Sequence, residues 1–294
     1  MEQLYPESEA PLAEAPAPVA PTVVTRYYPT YKESWGMLGW LLLSSILFAL
    51  PIIAGHAWLP ARYATGFMVV LGQVAQLALI LFLRRRAGPK RLEPTSWTGP
   101  ADSPRLFAVV AVVAVALLFA RLPVAWLDLP TWSADKTFVK LMQQPALALV
   151  VMCVGAPVLE EWLMRGLLLP GLTRNYGAGR AILQTSLLFG IIHLNPPQAL
   201  SAFLLGLFLG WLYTRTQSLM ACIAVHAINN MAAWGAMYAA HGEYKWHEHI
   251  SAAQPWEFAT VAVSLLVVGL SMRYIQQLTR PVAASSELPT VPAL

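Results

Sequence analysis

Charge is scarce in this chain. Asp, Glu, Lys and Arg make up 12% of its 294 residues and hydrophobic residues 57%, whereas an ordinary soluble domain is about a quarter charged. So few polar groups cannot cover a water-facing surface. That excludes a secreted enzyme or a soluble nucleic-acid-binding domain and leaves a polytopic membrane protein. Cysteine is equally scarce. Cys153 and Cys222 cannot build a disulfide framework, and each lies in an apolar run, where cysteine behaves as a small buried hydrophobe. No basic segment followed by an apolar stretch opens the chain, so no cleavable signal peptide is expected. No sequence repeat relates the two halves, which counts against a transporter built from duplicated bundles. The zinc signature HExxH and the GxSxG elbow of serine hydrolases are both missing, as is any cofactor motif.

What is present is a series of eight apolar segments. They run approximately Trp35–Ala54, Ala64–Leu83, Leu106–Trp126, Pro145–Pro170, Ala181–His193, Gln198–Tyr213, Leu219–Ala240 and Trp256–Gln277. Most approach the ~20 residues that cross hydrocarbon. The expected fold is therefore all-α, a bundle of about eight transmembrane helices over residues 35–280. The Pro-, Ala- and Glu-rich stretch 1–34 reads as a disordered cytosolic tail, and 281–294 as a flexible one. The fifth and sixth segments are short, and Asn195-Pro196-Pro197 breaks the helix between them. Arg84, Arg85, Arg86, Lys90, Arg91 and Arg105 form the densest basic run. By the positive-inside rule this loop, and with it both termini, belongs in the cytosol. Ala202, Gly206 and Gly210 recur every fourth residue, a spacing for close helix packing. His241, His247 and His249 fall in a loop expected to be solvated on the outer side.

A charge at bilayer depth is costly unless paired or wetted, so such residues are candidates for function. The fourth segment holds three, Glu160, Glu161 and Arg165. Glu161 and Arg165 are four apart and can pair on one helix face. Glu160 lies about 100° round the helix and is left without that partner. His193 ends the fifth segment, and His226 and Asn230 lie four apart on the seventh. At about 1.5 Å rise per residue, Glu160, His193, His226 and Asn230 reach roughly 10–18 Å below the cytosolic ends of their helices. One buried polar site is the economical reading. Trp162 and Trp234 are expected to line its wall.

A carboxylate and an imidazole without a serine or cysteine nucleophile suggest activation of water. Glu160 would be the general base, with His193 sharing the water and with His226 and Asn230 donating to an oxyanion. The same groups suit a divalent metal such as zinc, with Glu160, His193 and His226 as ligands. The residues leave bare and metal-bound water both open. They also leave open a non-catalytic membrane binding or immunity scaffold, or a proton-coupled carrier, using the same buried polar site.

Glu160-Glu161-Trp162-Leu163-Met164-Arg165 reads as EExxxR, Phe189 to His193 as FxxxH, and His226 to Asn230 as HxxxN. In that order, on three apolar segments, these motifs resemble the CAAX-processing and bacteriocin-processing intramembrane protease family, which includes the type II CAAX prenyl endopeptidases. The resemblance covers about residues 145–234, with Gly206, Gly210 and the Thr216-Gln217-Ser218-Leu219 turn. It implies an eight-helix bundle in the bacterial inner (plasma) membrane, with a catalytic cavity open to the cytosol and the bilayer. It casts Glu160 as water-activating base, His193 as its assistant, His226 and Asn230 as oxyanion stabilisers, and Glu161 with Arg165 as a supporting pair. The family carries both metalloprotease and metal-independent glutamate descriptions. Its substrates are peptides or proteins, reached from the cytosolic side or the bilayer. No prenyl-binding feature is recognisable in this sequence, so a prenylated substrate is not carried over.

Overall fold

The computed structural model describes residues 26–130, 134–239 and 254–280. The expected tails lie largely outside those residues, as do His241, His247 and His249. Eight principal helices are described, and they contain no strand partner. They are α1 (Tyr31–Trp58), α2 (Ala61–Ala87), α3 (Pro104–Ala120), α4 (Pro145–Tyr176), α5 (Ala178–Ile191), α6 (Pro196–Thr216), α7 (Leu219–Ala239) and α8 (Pro255–Leu278). Two short helices, Pro123–Trp126 and Ala134–Leu141, lie between α3 and α4.

Seven of the eight are long and apolar enough to cross a membrane, α3 together with the short helix Pro123–Trp126 that continues it. The exception is α5, whose 14 residues span only about 21 Å at 1.5 Å per residue, short of the ~30 Å hydrocarbon core. The expected eighth span is thus a short helix packed on its neighbours by one face, with Leu183, Leu187 and Ile191 exposed along the other. It is held by α6, where a Cβ at Gly206 would stand 3.1 Å from Ser186 and one at Gly210 3.1 Å from Ile182. The small-residue stripe is an internal packing seam.

Local signals set the helix ends. Thr30 caps α1 through a reciprocal capping box with Glu33, so the helix starts at Tyr31, inside the stretch read from sequence as tail. Ser103 caps α3 ahead of Pro104. Ser218 accepts from Ala221 N at the start of α7. Pro196 takes the first position of α6, where its missing N–H costs nothing.

The buried side chains form two principal clusters. One joins α3, α6, α7 and α8 through Leu106, Val113, Leu209, Cys222, Val225 and Ile275. The other joins α1, α2, α4 and α5 through Met37, Ile80, Leu83, Met164 and Phe189. Cys153 and Cys222 are both buried free thiols, as their apolar surroundings in the sequence suggest. Between the two clusters runs α4, and it carries the acidic pair.

Candidate functional site

Helix α4 is not uniformly α-helical. Val151–Gly155 and Trp162–Leu168 are π-helical, one segment on each side of the acids, an irregularity that recurs at functional sites. The reason is visible in the sequence as two prolines. Ala156 N, the α-helical donor to Met152 O, bonds Val151 O instead. The next residue, Pro157, has no N–H to offer. Met152 O is satisfied from another helix, by Asn230 Nδ2 at 2.8 Å. Val151 O also accepts from Gln73 Nε2 on α2 at 2.6 Å. Further along, Pro170 stands where an α-helical donor to Gly166 O would be, and Thr95 Oγ1 donates there at 3.0 Å.

These repairs fix the two acids in different surroundings. Glu161 is fully buried. Arg165 Nη1 donates to its two oxygens at 2.9 and 2.8 Å, and His226 Nδ1 lies 2.8 Å from Oε1. Arg165, also fully buried, sends Nη2 to Gly206 O at 3.0 Å and lies over the Phe189 ring at 4.9 Å. Glu160 is different. Its side chain keeps 18% exposure, and Oε2 has no hydrogen-bond partner among the described residues. The nearest charged neighbour is His226 Nε2 at 3.8 Å, beyond hydrogen-bond reach. The pairing and the surplus carboxylate expected from the 160–165 spacing are both present.

His193 lies two residues past the end of α5, where Nδ1 meets Phe189 O at 2.7 Å. A carbonyl only accepts, so the hydrogen sits on Nδ1 and Nε2 is left as an acceptor. Phe189 also sets its ring edge-on to both imidazoles, 5.0 Å from His193 and 5.6 Å from His226. The aromatic letter of the FxxxH motif is therefore the platform on which the histidines and Arg165 rest. Its part was not evident from sequence.

Glu160 and His193 open into one cavity of about 280 Å³, whose far wall comes from α1 and α2. A larger hollow of about 520 Å³ lies between α3 and α8. Its lining is apolar apart from Ser264, so the smaller one alone of the two carries candidate site residues. Trp162 and Trp234 line neither. Trp162 packs on Trp97 and beneath Arg84, and Trp234 Nε1 donates to Pro145 O. Among the described residues no three His, Cys, Asp or Glu side chains are grouped to hold a metal ion. Glu160, His193 and His226 do not make such a set.

Sequence reasoning missed a second polar centre. Arg121, at the end of α3, donates to Leu117 O, Ser201 O and Asn229 Oδ1. Asn229 Nδ2 donates in turn to Ala114 O and Val225 O. This node ties α3, α6 and α7 together beside Asn230. The signal available was an arginine near a span end and a doubled asparagine.

Residues 142–232 match the family model described as type II CAAX prenyl endopeptidase Rce1-like. The matched stretch contains Glu160, Glu161, Arg165, His193, His226 and Asn230. No curated protein and no solved structure matches the chain. The segment from α4 to α7 that assembles the acids and histidines is thus similar to the Rce1-like family of CAAX-type intramembrane proteases.

Proposed function

We propose that the chain is an intramembrane endopeptidase that cleaves a peptide bond with water activated by Glu160. The observation that carries this reading is the Glu160 carboxylate. It alone of the two acids is left without a hydrogen-bond partner on Oε2, and it shares a cavity with His193. Glu160 removes a proton from water, with His193 Nε2 accepting the water's other hydrogen and orienting it. The hydroxide adds to the substrate carbonyl carbon. His226 Nε2–H and the second amide hydrogen of Asn230 donate to the oxyanion that forms. Glu160 then returns its proton to the amide nitrogen, the C–N bond breaks, and a carboxylic acid and an amine form, the acid passing its proton to the amine as they leave.

Charge balance supports the donor role of His226. Glu160 and Glu161 carry two negative charges and Arg165 one positive. An imidazolium at His226, within 2.8 Å of one carboxylate and 3.8 Å of the other, makes the cluster neutral. A neutral cluster is the least costly arrangement at this depth. Glu161 and Arg165 then serve as the frame that holds His226. Residues 35–280 form the membrane-embedded core in this reading. The basic loop after α2 and both termini face the cytosol, and substrate enters from that side or from the bilayer.

A mass-spectrometric survey of protein termini tests the proposal, comparing cells with wild type and Glu160→Gln at equal levels. New termini are expected with wild type alone. Identical termini in cells where both forms insert and fold would favour a binding scaffold instead.

A further inference from the structure

We propose that Gln76 on α2 binds a main-chain peptide group of the substrate and holds an extended, apolar segment against Glu160 and His193. The inference rests on the endopeptidase reading of this site and names what the far wall of the cavity does.

That wall is made of two helix faces. Gly72, Ala75 and Gln76 follow the i, i+3, i+4 pattern on α2, and Leu41, Ser44, Ser45 and Phe48 follow i, i+3, i+4, i+7 on α1. Most of this surface is apolar. The two serine hydroxyls are already spent, Ser44 Oγ on Ala75 O and Ser45 Oγ on Leu41 O. Gln76 makes no hydrogen bond with any described residue, although it lines the cavity together with Glu160 and His193. Gln73, one turn earlier, shows the contrast, with its amide donating to Val151 O. Gln76 is half-buried and lines the cavity, so its carboxamide is available to whatever partner enters there.

The chemistry of that partner follows from the carboxamide itself. Gln76 offers one carbonyl acceptor and two N–H donors. A peptide group in an extended segment offers the matching N–H and C=O. The surroundings, Leu41, Phe48, Ala75 and Ile192, suit apolar side chains on either side of it. With the substrate backbone tied to α2, its carbonyl stands between that wall and the water shared by Glu160 and His193. Such fixing of the reacting group is where orientation lowers a barrier.

The test uses the purified full-length chain in proteoliposomes with a mixture of N-acetylated, C-amidated apolar peptides, and products are identified by mass spectrometry. Wild type is compared with Glu160→Gln, Gln76→Leu and Gln76→Met. Both Gln76 replacements keep volume and helix propensity while removing every polar contact. The expected result is a KM raised about tenfold, or about 1.4 kcal/mol of binding, with kcat within about twofold of wild type. A scan of single ester-for-amide replacements in the cleaved peptide locates the partner. One ester weakens cleavage by wild type and costs the Gln76 variants nothing further. An unchanged KM in both variants, or an ester penalty that persists in full without Gln76, overturns the proposal. Products that appear equally with Glu160→Gln, or no products from any form, overturn the endopeptidase reading and this inference with it.

Discussion

His226 Nδ1 and Glu161 Oε1 meet at 2.8 Å across two helices, both side chains almost wholly shut off from solvent. The same carboxylate is clasped by Arg165, so the imidazole is held by a group that is itself immobilised. Its other nitrogen is thereby aimed at Glu160. The buried acid thus positions the histidine beside the acid proposed to react.

Breaking this frame is expected to cost stability before chemistry. Arg165→Met strands the Glu161 charge, and loss of one member of a buried pair typically costs about 3–5 kcal/mol. The double variant Glu161→Gln with Arg165→Met is expected to recover much of that stability without recovering turnover, because His226 has lost its anchor. Thermal unfolding in detergent alongside peptide cleavage separates the two effects. Restored turnover in the double variant would show that the frame does not serve the site.

The neighbouring asparagines are expected to part company. Asn229→Ala removes the acceptor of Arg121 and the donor to Ala114 O and Val225 O. A loss of about 2–4 kcal/mol follows if two such bonds go and a half-buried guanidinium is left short of an acceptor. Asn230→Ala should reduce kcat by about 10²-fold, the scale of a lost oxyanion donor, with a smaller stability loss from Met152 O. Melting temperature and kcat, measured on the same preparations, give opposite orders of severity for the two variants.

Filling the cavity should separate folding from function. A Cβ at Gly72 would meet nothing within 4 Å, yet the residue lines the space shared with Glu160 and His193. Gly72→Leu is expected to fold as well as wild type, helped by up to about 1 kcal/mol of helix propensity. Peptide cleavage should fall at least about tenfold, the factor that corresponds to about 1.4 kcal/mol. Full activity with an unchanged melting curve would move the substrate path elsewhere.

The polar site was legible because hydrocarbon makes Glu160, Glu161 and Arg165 conspicuous and because helix spacing pairs the last two. Depth counting then grouped His193, His226 and Asn230 with them; of the three, His193 lines the cavity with Glu160, His226 lies beside both acids, and Asn230 bonds Met152 O. Other features depend on contacts that no spacing encodes. Pro157 and Pro170 announce trouble in the ladder of α4, but only the structure shows Asn230 and Thr95 making it good. Phe189 is one apolar residue among many until three neighbours are seen to rest on it. The far wall escaped notice because α1 and α2 bear no charge at that level, and a single glutamine in an apolar helix carries a weak signal. The shortness of α5 was visible. Its close packing on α6 depends on Gly206 and Gly210 admitting it.

The borrowed hydrogen bonds of α4 bear on how the protein comes into being. A helix with carbonyls left over by its prolines is a poor tenant of lipid by itself, since each unsatisfied group there costs several kcal/mol. Gln73 and Thr95 precede α4 in the chain and stand ready when it emerges from the ribosome. Asn230 does not, because it lies on α7 and is synthesised later. His226 arrives with it, one turn earlier on the same helix. The helix that completes the backbone of α4 therefore also delivers the imidazole that balances its acids, and a nascent chain lacking α7 has neither. Under the proposed mechanism, cleavage competence would arrive only with α7, when the backbone of α4 is complete.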